Sequence, residues 1–261
     1  MRPEASGGLL TKYDALVISF LCGSFLSGWF LGALSVWSAS LSLLGAIVAA
    51  LTYGALSKGH RAGGGSFGLN RKFLHLAGGS ALILGLILCP TDLPLLTLIL
   101  FITYSLYEVL RWQVVKRKIW TSELLSFYGS PEEQSGRPFW EAILGLGAVC
   151  GVIYFFDLKI TLVALINLTF GDGIAGLTRE RLGEDARSFG ALKGWWGSLA
   201  GTVASSLLAL VLTGKVSSLI PVAVGMLVER LPLPVDDNLT VPLSTALSAW
   251  LLLEFYPGLL G

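Results

Sequence analysis

Long apolar runs broken only by short polar segments constrain this chain more than any other feature. Windows at 13–36, 39–57, 73–90, 93–110, 141–156, 158–177, 197–213, 216–229 and 239–256 are built mainly from Leu, Ala, Val, Gly and aromatic residues. Several approach the roughly 20 apolar residues with which a helix crosses a bilayer. They lack the alternation that strands of a membrane barrel require. The chain is 54% hydrophobic and 13% charged, with a mean hydropathy of +0.73. A soluble domain of 261 residues has too little interior for so much apolar surface. The expected fold is all-α, a polytopic transmembrane helical bundle of about nine spans, with 1–261 forming a single integral membrane domain.

The placement of charge orients such a bundle. With the N-terminus inside, all Lys and Arg except Lys159 and Lys215 fall on one side, 16 of the 18. Positive charge concentrates on the cytoplasmic side, so a cytoplasmic N-terminus and an outside C-terminus are expected. The first run is too long, and followed by too many others, to be a cleaved signal. Outside connections at 37–40, 90–93, 157–159 and 213–215 are minimal, whereas inside ones at 58–72, 111–140, 178–196 and 230–238 are long. Chemistry favours the elaborated face. Residues 63–68 read as a Gly- and Ser-rich flexible stretch. Segment 114–128, with Trp112 ahead of it, reads equally as an interfacial helix or as an ordinary connector.

Several chemistries are excluded. Cys22, Cys89 and Cys150 lie in or beside apolar runs without metal-ligand spacing, as small packing residues do. His60 has no evident partner. No Cys/His zinc pattern, Gly-x-Ser-x-Gly elbow or Walker-type loop is present. Asn167 and Asn238 match a glycosylation pattern, but one lies in a span and the other inside, so both are expected to be inert.

Five polar clusters converge on the inside face. Arg71-Lys72-x-x-His75 opens the third span, with Arg71 and His75 sharing a helix face; topological anchoring accounts for the two cations but not for His75. Glu108-x-x-Arg111 closes the fourth span and suits either a site or a structural ion pair. Asp172 lies between Gly171 and Gly173, which let phosphate or another helix come close. A carboxylate at that depth needs a divalent cation, a base or a substrate proton. Arg179, Arg181, Arg187 and Lys193 follow, suited to phosphate, with topology alone able to explain about half of them. Lys193 also precedes Gly194, Gly197 and Gly201, where a helix N-terminus could present bare N–H groups to an anion. The fifth cluster spans 229–242, in which Asp236, Asp237 and Asn238 offer consecutive hard oxygens for magnesium or, alternatively, a helix cap. Acids and bases on one face suggest a phosphorylated anion bound with magnesium.

These residues resemble the CTP-dependent polyprenol kinases, a family comprising dolichol kinase, phytol kinase and bacterial and archaeal relatives. The resemblance runs from 70 to 255, a kinase-like core preceded by two extra N-terminal spans in 1–60. It rests on Gly171-Asp172-x-x-Ala175, Leu182-Gly183, Lys193 with Gly197-Ser198, and Glu229 followed by Asp236-Asp237-Asn238-Leu-Thr-Val-Pro. Arg71-Lys72-x-x-His75 and Glu108-x-x-Arg111 fit the same order. Gly194 and Trp196 depart from it, standing where the family usually carries a hydroxyl and an acid.

The resemblance implies transfer of phosphate from CTP to the terminal hydroxyl of an isoprenoid alcohol (dolichol, a polyprenol, phytol or geranylgeraniol). It implies a multi-pass membrane enzyme with a cytoplasmic active site, Mg2+ as cofactor, and CTP, a membrane-borne alcohol and the lipid bilayer as partners, with no nucleic acid. Asp172, Lys193 and Asp237 are the expected catalytic residues. Asp172, Asp236, Asp237 and Asn238 are expected to hold the metal. Arg71, Lys72, His75, Glu108, Arg111, Arg179, Arg187 and Lys193 are expected to bind the nucleotide. A phosphatidate cytidylyltransferase and a non-enzymatic transporter are the alternatives, the latter disfavoured by the lack of an internal repeat.

Overall fold

A computed structural model describes residues 67–114, 139–183 and 193–256. The expected spans at 13–36 and 39–57, Arg187, and segment 114–128 beyond Val114 lie outside the described residues. Within them the chain is entirely helical, with no strand. In order, the elements are α1 (Phe67–Leu88), α2 (Leu93–Val114), α3 (Trp140–Phe155) and α4 (Leu158–Ile166), the last continued by a π turn (Asn167–Asp172) into α5 (Gly173–Leu182). Next come α6 (Trp195–Thr213), a 3-10 turn (Val216–Ser218), α7 (Leu219–Arg230) and α8 (Asp237–Phe255). Each apolar run after residue 67 thus became one helix.

Local chemistry sets the helix ends. Asp157 caps α4 by accepting from the N–H groups of Lys159 and Ile160, both at 3.0 Å. Asp236 caps α8, its Oδ1 accepting from the Asn238 N–H at 2.8 Å. Gly183 and Gly214 close α5 and α6 with φ of 68° and 67°, a conformation that side chains with a Cβ disfavour.

The continuous helix 158–182 is the centre of the bundle, with α1, α6, α7 and α8 packed around it. Its Ile160, Val163, Leu165 and Ile166 are fully buried against residues such as Val149, Ala209, Val222 and Ala246. Helix α6 shows how the sequence encodes this packing. Gly197, Gly201, Ser205 and Ala209 recur every fourth residue and face inward, while Leu199, Val203, Leu207 and Val211 face outward. A side chain at Gly201 would strike the Gly171 carbonyl and Met226, and one at Gly197 would strike the Ala175 carbonyl and Arg179. These glycines therefore serve close helix packing. Helices 158–182 and α6 are each long and apolar enough to cross a membrane.

Candidate functional site

Asp172 ends the π turn inside the central helix. Such turns break the regular hydrogen-bond ladder and recur at functional sites. Here the turn is fixed from outside: the buried Asn167 amide donates to the Val222 carbonyl at 3.1 Å and to Thr245 Oγ1 at 2.8 Å. Asn167 is wholly buried, and no glycosylating enzyme reaches it.

The Asp172 carboxylate is only 3% exposed. Lys72 of α1 donates to its Oδ2 at 2.8 Å. His75, one turn further along α1, has its Nε2 3.8 Å from the same oxygen and donates from that nitrogen to the Leu168 carbonyl at 2.8 Å. The glycines around Asp172 make room for α1, since side chains at Gly173 and Gly176 would meet Leu76 and Lys72. Lys72 and His75 thus form a cationic and polar edge along the acid, whereas the spacing had paired His75 with Arg71.

A second node lies on the other side of Asp172. Glu229, at the end of α7, is completely buried. Its Oε1 accepts from Arg179 Nη2 at 2.6 Å and from Lys193 at 3.3 Å, and its Oε2 from the Ser198 hydroxyl at 3.0 Å. Lys193 also pairs with Asp237 at the start of α8. The Lys193 backbone N–H reaches the Arg230 carbonyl, Arg230 Nε donates back to the Lys193 carbonyl at 3.3 Å, and the Arg230 guanidinium stacks on Trp195. This double tie holds the start of α6 against the end of α7. Trp196 points outward and is 59% exposed.

Charge crowds at this junction. Burial works against the Lys193 ammonium, yet Glu229 and Asp237 outweigh it and hold its pKa above the usual lysine value. Asp237, just ahead of the apolar run 239–256, has its carboxyl pushed up to about 6 by burial, Lys193 opposing the shift and Asp172 and Glu229 adding to it. Oxygens of Asp172, Glu229 and Asp237 all lie within 4.8 Å of one another. Three hard carboxylate ligands at that separation fit magnesium, which takes one or two carboxylates and completes its shell with phosphate and water. Both Glu229 oxygens are already engaged by Arg179, Lys193 and Ser198, leaving Asp172 and Asp237 as the better ligands.

The remaining expected residues fall around this centre. Asp236 is turned to capping α8, and the Asn238 amide donates to the Glu141 carbonyl at 3.5 Å. Arg179 is 8% exposed and grips Glu229, and its Nη1 has no partner among the described residues. Glu108 is engaged at the start of α3, accepting from the Phe139 N–H at 3.0 Å. Arg71 lies on α1 and Arg111 on α2, their side chains outside the described part. In the sequence Glu229 stood at the start of the 229–242 cluster and within the family motif, with no role of its own assigned to it.

Beside Lys72 and His75 a cavity of about 290 Å³ opens between α1, α3 and the central helix. Its rim carries Lys72, His75, Glu141 and Asn238, and its interior Leu82, Leu146, Val149, Leu165 and Leu168.

No family model matches the chain, and no solved structure matches it. Curated relatives do. The chain is 30% identical over 179 residues to probable phytol kinase 1, chloroplastic, of Oryza sativa subsp. japonica, an alignment covering 62% of this chain and 54% of that one. It is 33% identical over 141 residues to probable phytol kinase, chloroplastic, of Zea mays, covering 48% and 46%. To probable phytol kinase 3, chloroplastic, of Glycine max it is 28% identical over 198 residues, covering 69% and 61%. The chain spans about half the length of the first two of these relatives.

Proposed function

The chain has a family relationship with the phytol kinases, and from that premise we propose that it phosphorylates the terminal hydroxyl of an isoprenoid alcohol, with CTP as donor. The observation that carries this reading is the junction itself: Asp172, Glu229 and Asp237 within 4.8 Å, with Lys72 paired to Asp172 and Lys193 to Glu229 and Asp237. A nucleoside triphosphate brings several negative charges that need both cations, and a metal-binding carboxylate cluster beside them supplies the rest of the demand.

In this reading Asp172 and Asp237 hold Mg2+, which neutralises charge on the phosphate oxygens when bound. Lys193, roughly a quarter exposed, turns from Asp237 toward phosphate as the nucleotide enters. The start of α6 lacks a side-chain cap and adds backbone N–H groups to the same anion. Lys72 approaches from the acceptor side and holds the transferred phosphoryl group. The alcohol oxygen attacks the γ-phosphorus, the bond to the bridging oxygen breaks with CDP leaving, and the hydroxyl proton passes to a phosphate oxygen. Such a reaction depends on positioning and charge, which ion pairs fixed on four helices provide. Arg179 and Ser198 act on Glu229, keeping its charge in place beneath Lys193.

The protein is further proposed to be a multi-pass membrane protein with this site on the cytoplasmic side. Support comes from the two helices long enough to cross and from outward apolar faces, such as Leu199, Val203, Leu207 and Val211 on α6. Incubating the purified chain with magnesium, CTP labelled either on the γ-phosphate or on cytidine, and a panel of prenyl alcohols tests the activity. Label from the γ-phosphate in a prenyl monophosphate is the expected result. Cytidine label in lipid would identify a cytidylyltransferase instead, and no transfer to any alcohol would overturn the kinase reading.

A further inference from the structure

Resting on that reading, we propose that the cavity between α1, α3 and the central helix receives the hydrocarbon tail of the acceptor, and that Gly78 sets how long a tail it takes. The cavity adjoins the junction, because Lys72 and His75 line it and also flank Asp172. Its polarity is graded. Lys72 and His75 stand at the Asp172 end, and Leu82, Leu146, Val149 and Leu165 line the interior. A molecule with one hydroxyl on a long apolar chain matches that gradient; a soluble sugar or amino acid would leave its polar groups unpaired against the leucines. The volume of about 290 Å³ sits at the low end of the roughly 300–1,000 Å³ typical of small-molecule pockets.

The wall is shaped by sequence. On α1 the lining positions Lys72, His75, Gly79 and Leu82 follow helical spacing, and on α3 Ala142, Gly145, Leu146 and Val149 do the same. The glycines there are not equivalent. A side chain at Gly79 would strike Thr169, and one at Gly145 would press on Asn238 at 3.3 Å, so both serve packing. Gly78 is exposed and lines the cavity, and a Cβ there meets nothing within 4 Å among the described residues. Its missing side chain leaves open space at the edge of the cavity, which a large residue would occupy.

The test compares wild type, Gly78→Ala, Gly78→Phe and Leu146→Trp, purified as the full chain, with CTP and either geraniol, farnesol or geranylgeraniol. Expected is a rise of about tenfold or more in KM for geranylgeraniol in the two large variants, with KM for CTP and turnover of geraniol unchanged and Gly78→Ala like wild type. Equal losses on all three alcohols, or no loss, would overturn the inference. A diazirine-bearing farnesol analogue supplies a readout independent of turnover. Adducts at Leu82, Leu146 or Val149, displaced by geranylgeraniol but not by excess phospholipid, support the cavity even if no alcohol is phosphorylated, in which case the kinase reading alone falls. Adducts elsewhere while the kinase is active, or equal displacement by phospholipid, sink the cavity assignment and leave the kinase reading standing.

Discussion

Two acids only a few ångströms apart have opposite surroundings. Glu229 is fully buried and saturated: Arg179, Lys193 and Ser198 occupy both oxygens at 2.6 to 3.3 Å. Asp172 is nearly as buried, but it has no partner as buried as Arg179: its lysine and histidine both stand on the wall of an open cavity. The difference lies in what each acid can exchange. Releasing Glu229 would strand a buried guanidinium, which is expensive. Lys72 can leave Asp172 for a phosphate and remain solvated. In the proposed reaction Glu229 therefore belongs to the frame, and Asp172 to the chemistry.

That contrast can be broken most forcefully at Glu229. Glu229→Ala leaves Arg179 buried and unpaired, with an expected loss of about 3–5 kcal/mol of stability, visible as a large drop in thermal unfolding temperature in detergent. A variant as stable as wild type would show that the node is not structural. Asp172→Asn should do the reverse: unfolding temperature close to wild type and turnover lower by about a hundredfold to a thousandfold, with Asp237→Asn following it and raising the magnesium requirement. Matching losses of stability and turnover in Asp172→Asn would merge the two acids into one class. The smallest effect is expected at Asp236, whose carboxylate caps α8. Asp236→Ala should cost about 1 kcal/mol of stability and leave the magnesium requirement unchanged. A shift in magnesium dependence equal to that of Asp237→Asn would restore Asp236 to the metal set.

Much of the frame was legible in the sequence. The apolar windows at 93–110, 141–156 and 239–256 became helices Leu93–Val114, Trp140–Phe155 and Asp237–Phe255, with small shifts at the ends. Hydropathy finds the apolar body of a helix but not its polar extension. Thus 158–177 grew to Leu182 because Thr178-Arg-Glu-Arg still forms good helix until Gly183 turns left-handed. The 216–229 window opened as a 3-10 turn before α7 began at Leu219. Within the site, Lys72, His75, Asp172, Lys193 and Asp237 were legible because charge beside apolar runs is costly and stands out. The pairing was not. Arg179 reads like any positive-inside residue, and its commitment to Glu229 depends on α5 and α7 meeting across a separation of 50 positions in the sequence.

The sequence by itself determined which segments are helical, where their charged ends fall, and that acids and bases gather along one face. Periodicity, hydropathy and capping are local, so they survive without knowledge of neighbours. Only the tertiary structure decided which acid faces which base, that Gly197 and Gly201 serve packing, and that Asp172, Glu229 and Asp237 meet while Asp236 caps α8. Those outcomes depend on which helix faces meet, and a glycine or a carboxylate acquires its role from the atoms opposite it.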